Sequence, residues 1–520
     1  MDLQQALTLL EVTQGYTRGD VDSSFKRLAE NAKNSNRISE ISKLMQARQF
    51  LINAIPTSAK ANLGTPKLTE GDLVVEHVLK SNANTFITGP GGTGKSTILK
   101  RIVEGMKNKA VAVVAFTGVA AMHVQGETVN SFFGLPGHSG LSYLKWNNLP
   151  PRDKARFQAL DVLIIDEVSM LSADHLDALN NKLQAARRSE APFGGVRVLL
   201  FGDPYQLPPV KDNKDQLMHE KLSAKYPMGM WFFEAHVYED ANFEVIELKT
   251  NHRAKGAEFI ETLRLVRKGM ASSDTIQYFN TRLGKEPPFE TFTTIVSRNA
   301  EVDRINGEHL EAIDSPERVF EATVSWPNPN TRSGPINWNK VTPEKELVLK
   351  VGAQVMFIKN DDQGGQLIDG ERKLRWANGD QGTVQEMSED GASLFIRVAE
   401  GQTFKVQRST WDDVRHFAVK KILPNGAQRD DLDPQINFRI TQFPIRLSWA
   451  ITIHKSQGQT YSSMKFDPSG AFEVGQTYVA LSRATGLEAI GLLTPLEQNH
   501  IKVSPVIAHF LSNSNPISFG

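Results

Sequence analysis

The chain contains no cysteine, which excludes disulfide bonds and any thiolate-held zinc or iron–sulfur centre. Its 12 histidines fall in no HxxxH-type pair, so no structural metal is expected. Neither sign of charge is in excess, with 59 Lys plus Arg against 59 Asp plus Glu. A protein that coats nucleic acid without sequence preference is usually basic. Neutrality argues against that role but not against a motor, whose positive charge need line only one groove. No apolar run approaches the ~18 residues that cross a bilayer. The start, MDLQQALTLLEV, lacks the basic segment and small-residue cleavage site of a signal peptide. Internal repeats and low-complexity tracts are absent too. What is left is a soluble, cytoplasmic protein whose 520 residues suffice for three or four domains.

The pattern changes along the chain. Residues 1–55 read as a helical domain, with Leu3, Ala6, Leu9 and Leu10 on one helical face and further amphipathic segments at 20–32 and 38–54. Residues 56–67 read as a linker of mixed Pro, Gly, Ser and Lys. From 68 onward, apolar runs alternate with helix-like stretches. NTFITG (84–89), AVAVVAF (110–116), DVLIID (161–166) and VRVLLFGD (196–203) are unbroken, as buried parallel strands are. In the stretch 172–188, Leu176, Leu179, Leu183 and Ala186 share one helical face. Residues 346–435 differ again, with short apolar stretches at 348–358, 382–387 and 393–399 between Gly-rich turns, and read as a small β-barrel inserted in an α/β frame.

GPGGTGKST (89–97) fits G-x-x-x-x-G-K-[ST] between an expected strand and an expected helix. Gly89, Gly91, Gly92, Thr93, Gly94, Lys95, Ser96 and Thr97 are therefore expected to cradle a nucleoside triphosphate, ATP. Lys95 reaches the β- and γ-phosphates, and Ser96 holds Mg²⁺. The run 162–165 puts Asp166 at a strand end, where it can hold the same Mg²⁺ through its hydration shell, and Glu167 can polarise the attacking water. Gln206, in FGDPYQLPPV (201–210), has an amide that both donates and accepts, suited to the γ-phosphate and its water. Arg253 (LKTNHR, 248–253) and Arg483 (YVALSRAT, 478–485) are candidates to neutralise charge on the transferred phosphoryl group.

Taken in order with FTGVAA (116–121), LIIDEVSML (163–171) and WAITIHKSQGQT (449–460), these segments resemble the superfamily 1B DNA helicases, the branch of the Pif, Dda and RecD proteins. The resemblance spans roughly 66–512. It implies two RecA-like P-loop domains with ATP between them, and ATP-driven 5′-to-3′ movement along single-stranded or forked DNA in replication, repair or recombination. It assigns 68–240 to the first domain, with a wedge near 135–158 (His138 and Trp146 as candidates), 241–345 and 436–512 to the second, and 513–520 to a tail. It adds Gly458 to the nucleotide site and implies DNA contacts at Thr117, Gly118, Thr128, Asn130, Ser131, Phe132, Thr452, His454, Lys455, Ser456 and Gln457. Hydroxyls, amides and Lys suit phosphate oxygens, and an aromatic ring can stack on a base, with core packing the other reading of Phe132 and Phe133 and one of the two expected in the core. Asp72 stands where relatives carry an adenine-reading Gln; a carboxylate only accepts, which loosens the expected preference for ATP. Phe116 and Asn130 replace a usual Pro and a common His.

Residues 1–55 resemble a J-domain without its His-Pro-Asp tripeptide, or form an unrelated helical bundle. In the former case the segment docks a single-strand-binding or replication protein. A bacterial or phage-infected cell, near the nucleoid, is the expected setting. Two other functions stay open at this point: an RNA or RNA–DNA hybrid motor on the same frame, and a nucleic-acid loading protein with weak ATPase activity.

Overall fold

Every expected buried run before residue 240 is a strand. In the computed structural model, which describes residues 68–135, 149–209, 216–327, 336–338, 341–368, 371–398, 401–422 and 426–519 together with Leu9, Leu10, Ser24, Phe25, Leu28, Leu44 and Ala47, the first lobe is built on β1 (Thr85–Thr88), β2 (Val111–Ala115), β3 (Glu127–Thr128), β4 (Val162–Asp166), β5 (Arg197–Phe201) and β6 (Glu244–Glu247). They form one parallel sheet in the order β3-β2-β4-β5-β1-β6. Successive side chains point to opposite faces. Phe86, Val114, Ile165 and Leu200 join the core on one face; Ile87, Val113, Ile164 and Leu199 join the other. Both faces are covered, so the runs carry no polar alternation. Helix Ala173–Arg187 covers one face through Leu176, Leu179, Leu183 and Ala186, the four residues expected from their spacing. Helices Glu70–Lys80 and Lys95–Gly105 cover the other through Val74, Val78, Ile98 and Ile102.

The second lobe begins with helix Ala257–Arg267 and β7 (Thr293–Val296). The chain then leaves for an antiparallel insertion. There β8 (Arg318–Glu321) pairs with β10 (Glu346–Leu349), and β9 (Thr323–Ser325) lies nearby in sequence. Gly352, at φ +95°, turns the chain into β11 (Gln354–Phe357), which divides the stretch 348–358 into two strands. After the small pair β12 (Gln366–Ile368) and β13 (Glu371–Lys373) come β14 (Gln381–Met387), β15 (Ser393–Val398), β16 (Thr403–Gln407), β17 (Ser409–Ile422), β18 (Gln428–Gln442) and β19 (Ile445–Leu447). Strands β16-β15-β14-β11-β19 make a five-stranded sheet around Val355, Trp376, Leu394, Ile396 and Ile445. The lobe is completed by β20 (Ala450–Thr452), β21 (Met464–Phe466) and β22 (Ile490–Leu492), parallel in the order β20-β7-β21-β22.

Strand pairing carries three elements across the expected domain limits. β6 lies beyond residue 240 yet pairs with β1 of the first lobe. β18 runs through residue 435 to Gln442, pairing with β17 along a long hairpin. Helix Pro505–Asn513 sets Phe510 against Phe233, ring centroids 4.0 Å apart, and Ile517 exchanges backbone hydrogen bonds with the β6 strand, at 2.8 Å to Val245 and 3.1 Å from Glu247. The C-terminal segment therefore returns to the first lobe. Apart from the seven residues of 1–55 named above, the helical expectation for that segment, the linker 56–67, and wedge residues 136–148, including His138 and Trp146, lie outside the described residues.

The β17–β18 hairpin leans on the first lobe. His416 donates its backbone N–H to Glu127 Oε2 at 3.2 Å, with its Nδ1 3.3 Å from the same oxygen. Arg152 lies 4.3 Å above the Phe417 ring. Beneath the hairpin, Phe132 and Phe133 are both 0% exposed and pack with Phe157. Phe132, expected as a base-stacking ring, is thus a core ring: its faces are taken by Phe133, Phe157, His416 and the Arg156 guanidinium. Phe132→Ala should lower unfolding free energy in urea titration by about 3–5 kcal/mol, and a loss below about 1 kcal/mol would restore the ring to a surface role.

Candidate nucleotide and nucleic-acid site

Parallel strands end on one edge of a sheet, so the loops after β1, β4 and β5 meet there. The loop after β1 is the Gly-rich segment, and Gly94, at φ +79°, starts helix Lys95–Gly105. Ser96 and Thr97 are exposed at that helix start. Thr93 turns inward, donating to Pro90 O at 3.0 Å. Lys95 Nζ donates to Gly89 O at 2.7 Å and Pro90 O at 3.0 Å, folded back over its own loop. Burial lowers its ammonium to about 8, although Asp203, Glu167 and Asp166 pull it upward.

Asp166 closes β4, and Glu167 follows with left-handed backbone, φ +52°. Burial, and then the neighbouring Glu167 carboxylate, raise Asp166 to about 7. Burial also raises Glu167. Gln457 Nε2 bridges from the second lobe, donating to Glu167 Oε2 at 2.8 Å and Gln206 Oε1 at 3.0 Å.

The two candidate arginines converge on Gly91. A Cβ built there would lie 3.0 Å from an Arg483 terminal nitrogen and 3.3 Å from one of Arg253. Arg483, 1% exposed, is fixed by bonds to Val479 O at 2.9 Å and Ser482 Oγ at 2.8 Å. Arg253 is held by Thr460 Oγ1 at 2.8 Å and Ser482 O at 3.2 Å, and reaches the exposed Gly458 carbonyl at 3.4 Å. Burial, and then Arg483, lower Arg253 to about 9. Lys95, Asp166, Glu167, Gln206, Arg253 and Arg483 thus share one cleft.

Two family models match the chain: PIF1-like helicase over residues 70–276, and DNA helicase Pif1, 2B domain, over 336–374. The ATP-dependent DNA helicase Pif1 of Bdellovibrio bacteriovorus is 31% identical over 440 residues, covering 83% of this chain and 89% of its own. The chain belongs to the PIF1-like helicase family. Bacteroides sp. Pif1 in complex with ADP-AlF4 has 30% identity and a TM-score of 0.73, covering 86% of this chain and 96% of that one. The same protein bound to single-stranded DNA, again at 30% identity and with the same coverage, scores 0.57. The fold is thus the two-lobed RecA-like one.

In this PIF1-like helicase the expected DNA contacts divide into two groups. Thr117 and Thr128 cap helices, accepting from Ala120 N at 3.1 Å and Ser131 N at 3.2 Å. Gly118 begins the first of those helices and is half-buried, as is Asn130 in the second. Ser131 donates to Glu127 at 2.7 Å. Thr452, 4% exposed, caps the next helix by accepting from Lys455 N at 3.2 Å, and Ser456 is 0% exposed. Only His454 and Lys455 of the late motif present exposed side chains. Gln457, expected on the DNA, lies in the nucleotide cleft instead, because the turn after the helix points it at Glu167.

Asp72 is held by Arg101 at 2.5 Å, and it is Glu70 that takes up the backbone amides of Lys249 and Thr250 at 2.8 and 2.9 Å. Sequence reasoning passed over three further residues: Asp203, Arg267 and Tyr478. Asp203 and Tyr478 stand inside the quoted motifs. Arg267 lies in an ordinary amphipathic helix and gave no signal.

Two outcomes are expected. Only the ammonium form of Lys95 grips phosphate, and in the free protein it titrates at about 8. Nucleotide affinity, measured with a fluorescent analogue, should fall up to about tenfold per unit above that pH; Lys95→Met should flatten that limb of the profile. Gly91→Ala pushes a methyl group into the arginines, so ATP turnover should fall about a hundredfold with nucleotide affinity within about threefold. Equal losses in both would place Gly91 in binding alone.

Proposed function

We propose that the chain is an ATP-dependent DNA helicase that moves 5′ to 3′ on single-stranded DNA and separates duplexes ahead of it. The observation that carries this reading is the meeting of Lys95, Asp166 and Glu167 with Arg253 and Arg483 around Gly91. Cations from both sides of a cleft surround the place a triphosphate would fill, so charge developing on the transferred phosphoryl group is neutralised only when the lobes are closed.

Lys95 exchanges its loop carbonyls for phosphate oxygens when nucleotide enters. Glu167, held by Gln457, orients and polarises the attacking water, and Gln206 shares the same amide. Among the described residues no group of three or more His, Cys, Asp or Glu could hold a metal ion alone. The exposed Ser96 hydroxyl and the buried Asp166 carboxylate are oxygen donors that suit Mg²⁺ carried in on nucleotide. Bound there, Mg²⁺ would neutralise phosphate charge.

Gln457 stands two residues after the exposed Lys455 and three after the exposed His454, so the segment that feels the DNA backbone also holds the water-positioning carboxylate. Nucleotide state and strand grip are thereby connected. A shift of one segment against the other on each turnover gives stepwise movement.

The test is ATP-driven unwinding of partial duplexes bearing a 5′ or a 3′ single-stranded tail. Strand separation from the 5′-tailed substrate, with ATP turnover stimulated by single-stranded DNA, is the expected result. Unwinding from the 3′ tail would reverse the polarity. Turnover indifferent to DNA would favour a loading protein.

A further inference from the structure

Between the P-loop and the loop after β5 runs a buried hydrogen-bond chain that the catalytic reading does not use. Tyr478 stands on the short helix Gln476–Leu481, in the segment that also carries Arg483. It is 3% exposed. Its hydroxyl accepts from the Gly91 N–H at 2.9 Å and donates to Asp203 Oδ2 at 3.1 Å. Those directions are forced, because an amide N–H can only donate and an ionised carboxylate can only accept. Asp203, 1% exposed, is gripped from its other side by Arg267, at 2.9 Å to Oδ1 and 3.1 Å to Oδ2. Arg267 in turn lies 4.6 Å above the Tyr205 ring. The start of the Tyr478 helix touches the same loop: a Cβ on Gly475 would fall 2.5 Å from Gln206 O.

The ring of Tyr478 fills space that a phenylalanine would fill equally well. Its oxygen is what joins three parts: the P-loop, the loop bearing Gln206, and the segment bearing Arg483. Removing that oxygen leaves Lys95 and the helix-start amides free to bind phosphate. It leaves Asp203 in the hands of Arg267. What it takes away is the fixed spacing between Gly91 and the arginine segment.

We propose that Tyr478 is a positioning residue for ATP hydrolysis, its hydroxyl bridging Gly91 and Asp203 so that Arg483 is held in register with the γ-phosphate. This rests on the ATPase reading above. It acts through Arg483 and in the closed cleft, so it governs turnover and not nucleotide capture.

Tyr478→Phe in the full chain tests it. The expected result is an about tenfold or greater loss of kcat in DNA-stimulated ATP turnover, with KM and directly measured nucleotide affinity within about twofold and the melting temperature lowered by no more than about 5 °C. Combined with Arg483→Ala, the substitution should add no further loss, since both act through one group. A wild-type kcat, a defect confined to KM, or an undiminished tenfold loss on top of Arg483→Ala would each overturn the proposal. Failure of the underlying function shows separately, as absence of DNA-stimulated turnover in the unsubstituted chain.

Discussion

Three cations, Lys95, Arg253 and Arg483, are driven into one cleft where burial depresses the proton affinity of each. Crowding like charges in a poorly solvated space is unfavourable. Two carboxylates, Asp166 and Glu167, are forced in beside them, and burial raises both. A bound nucleoside triphosphate would set phosphate charge against these cations. The parallel sheet, with its functional loops at one edge, is what holds these crowded charges in place. Stability and activity are therefore linked through the same groups, and nucleotide should stiffen the region between the lobes by mass action.

Outside the cleft, the first lobe receives two visitors. The β17–β18 hairpin comes from the insertion and packs His416 against the buried pair Glu127 and Arg156. Burial pushes the Glu127 carboxyl upward, but the His416 hydrogen bond and the Arg156 charge outweigh it and leave the group below its ordinary value. A depressed carboxylate contributes stability that is complete above its unfolded value and is lost as pH falls through the folded one. The contact is thus secure at neutral pH. It sits over residues 127–133, the stretch from which DNA contacts were expected.

How much of this could be read beforehand depended on distance along the chain. The strands of the first lobe were legible because both faces of the sheet are buried, so each run is apolar without interruption. Asp166 was legible because a strand end is a local event. The convergence of Arg253 and Arg483 was visible only through motif resemblance. Tyr478 and Gly91 are 387 positions apart, and Asp203 and Arg267 are 64 apart, so no local pattern could announce either pair. The hairpin was hidden for another reason: STWDDVRHFAVKKI and QRDDLDPQINFRITQ are charged, and Pro434 interrupts the second. Such a ladder draws its stability from pairing and from the surface it covers, not from an apolar face of its own. Phe132 failed as a base-stacking candidate because sequence gives the ring but not its exposure.

The C-terminal segment has a mechanical consequence. Among the described residues the main chain passes from the first lobe to the second at 248–256, after β6, and comes back at 503–505, where Lys502 still accepts from Gly475 and Phe510 already stacks on Phe233. Two covalent crossings define a line. Rotation about that line stretches neither connection, whereas sliding one body past the other strains both. Any relative movement of the lobes is therefore limited by both connections at once, a constraint set by the polypeptide itself.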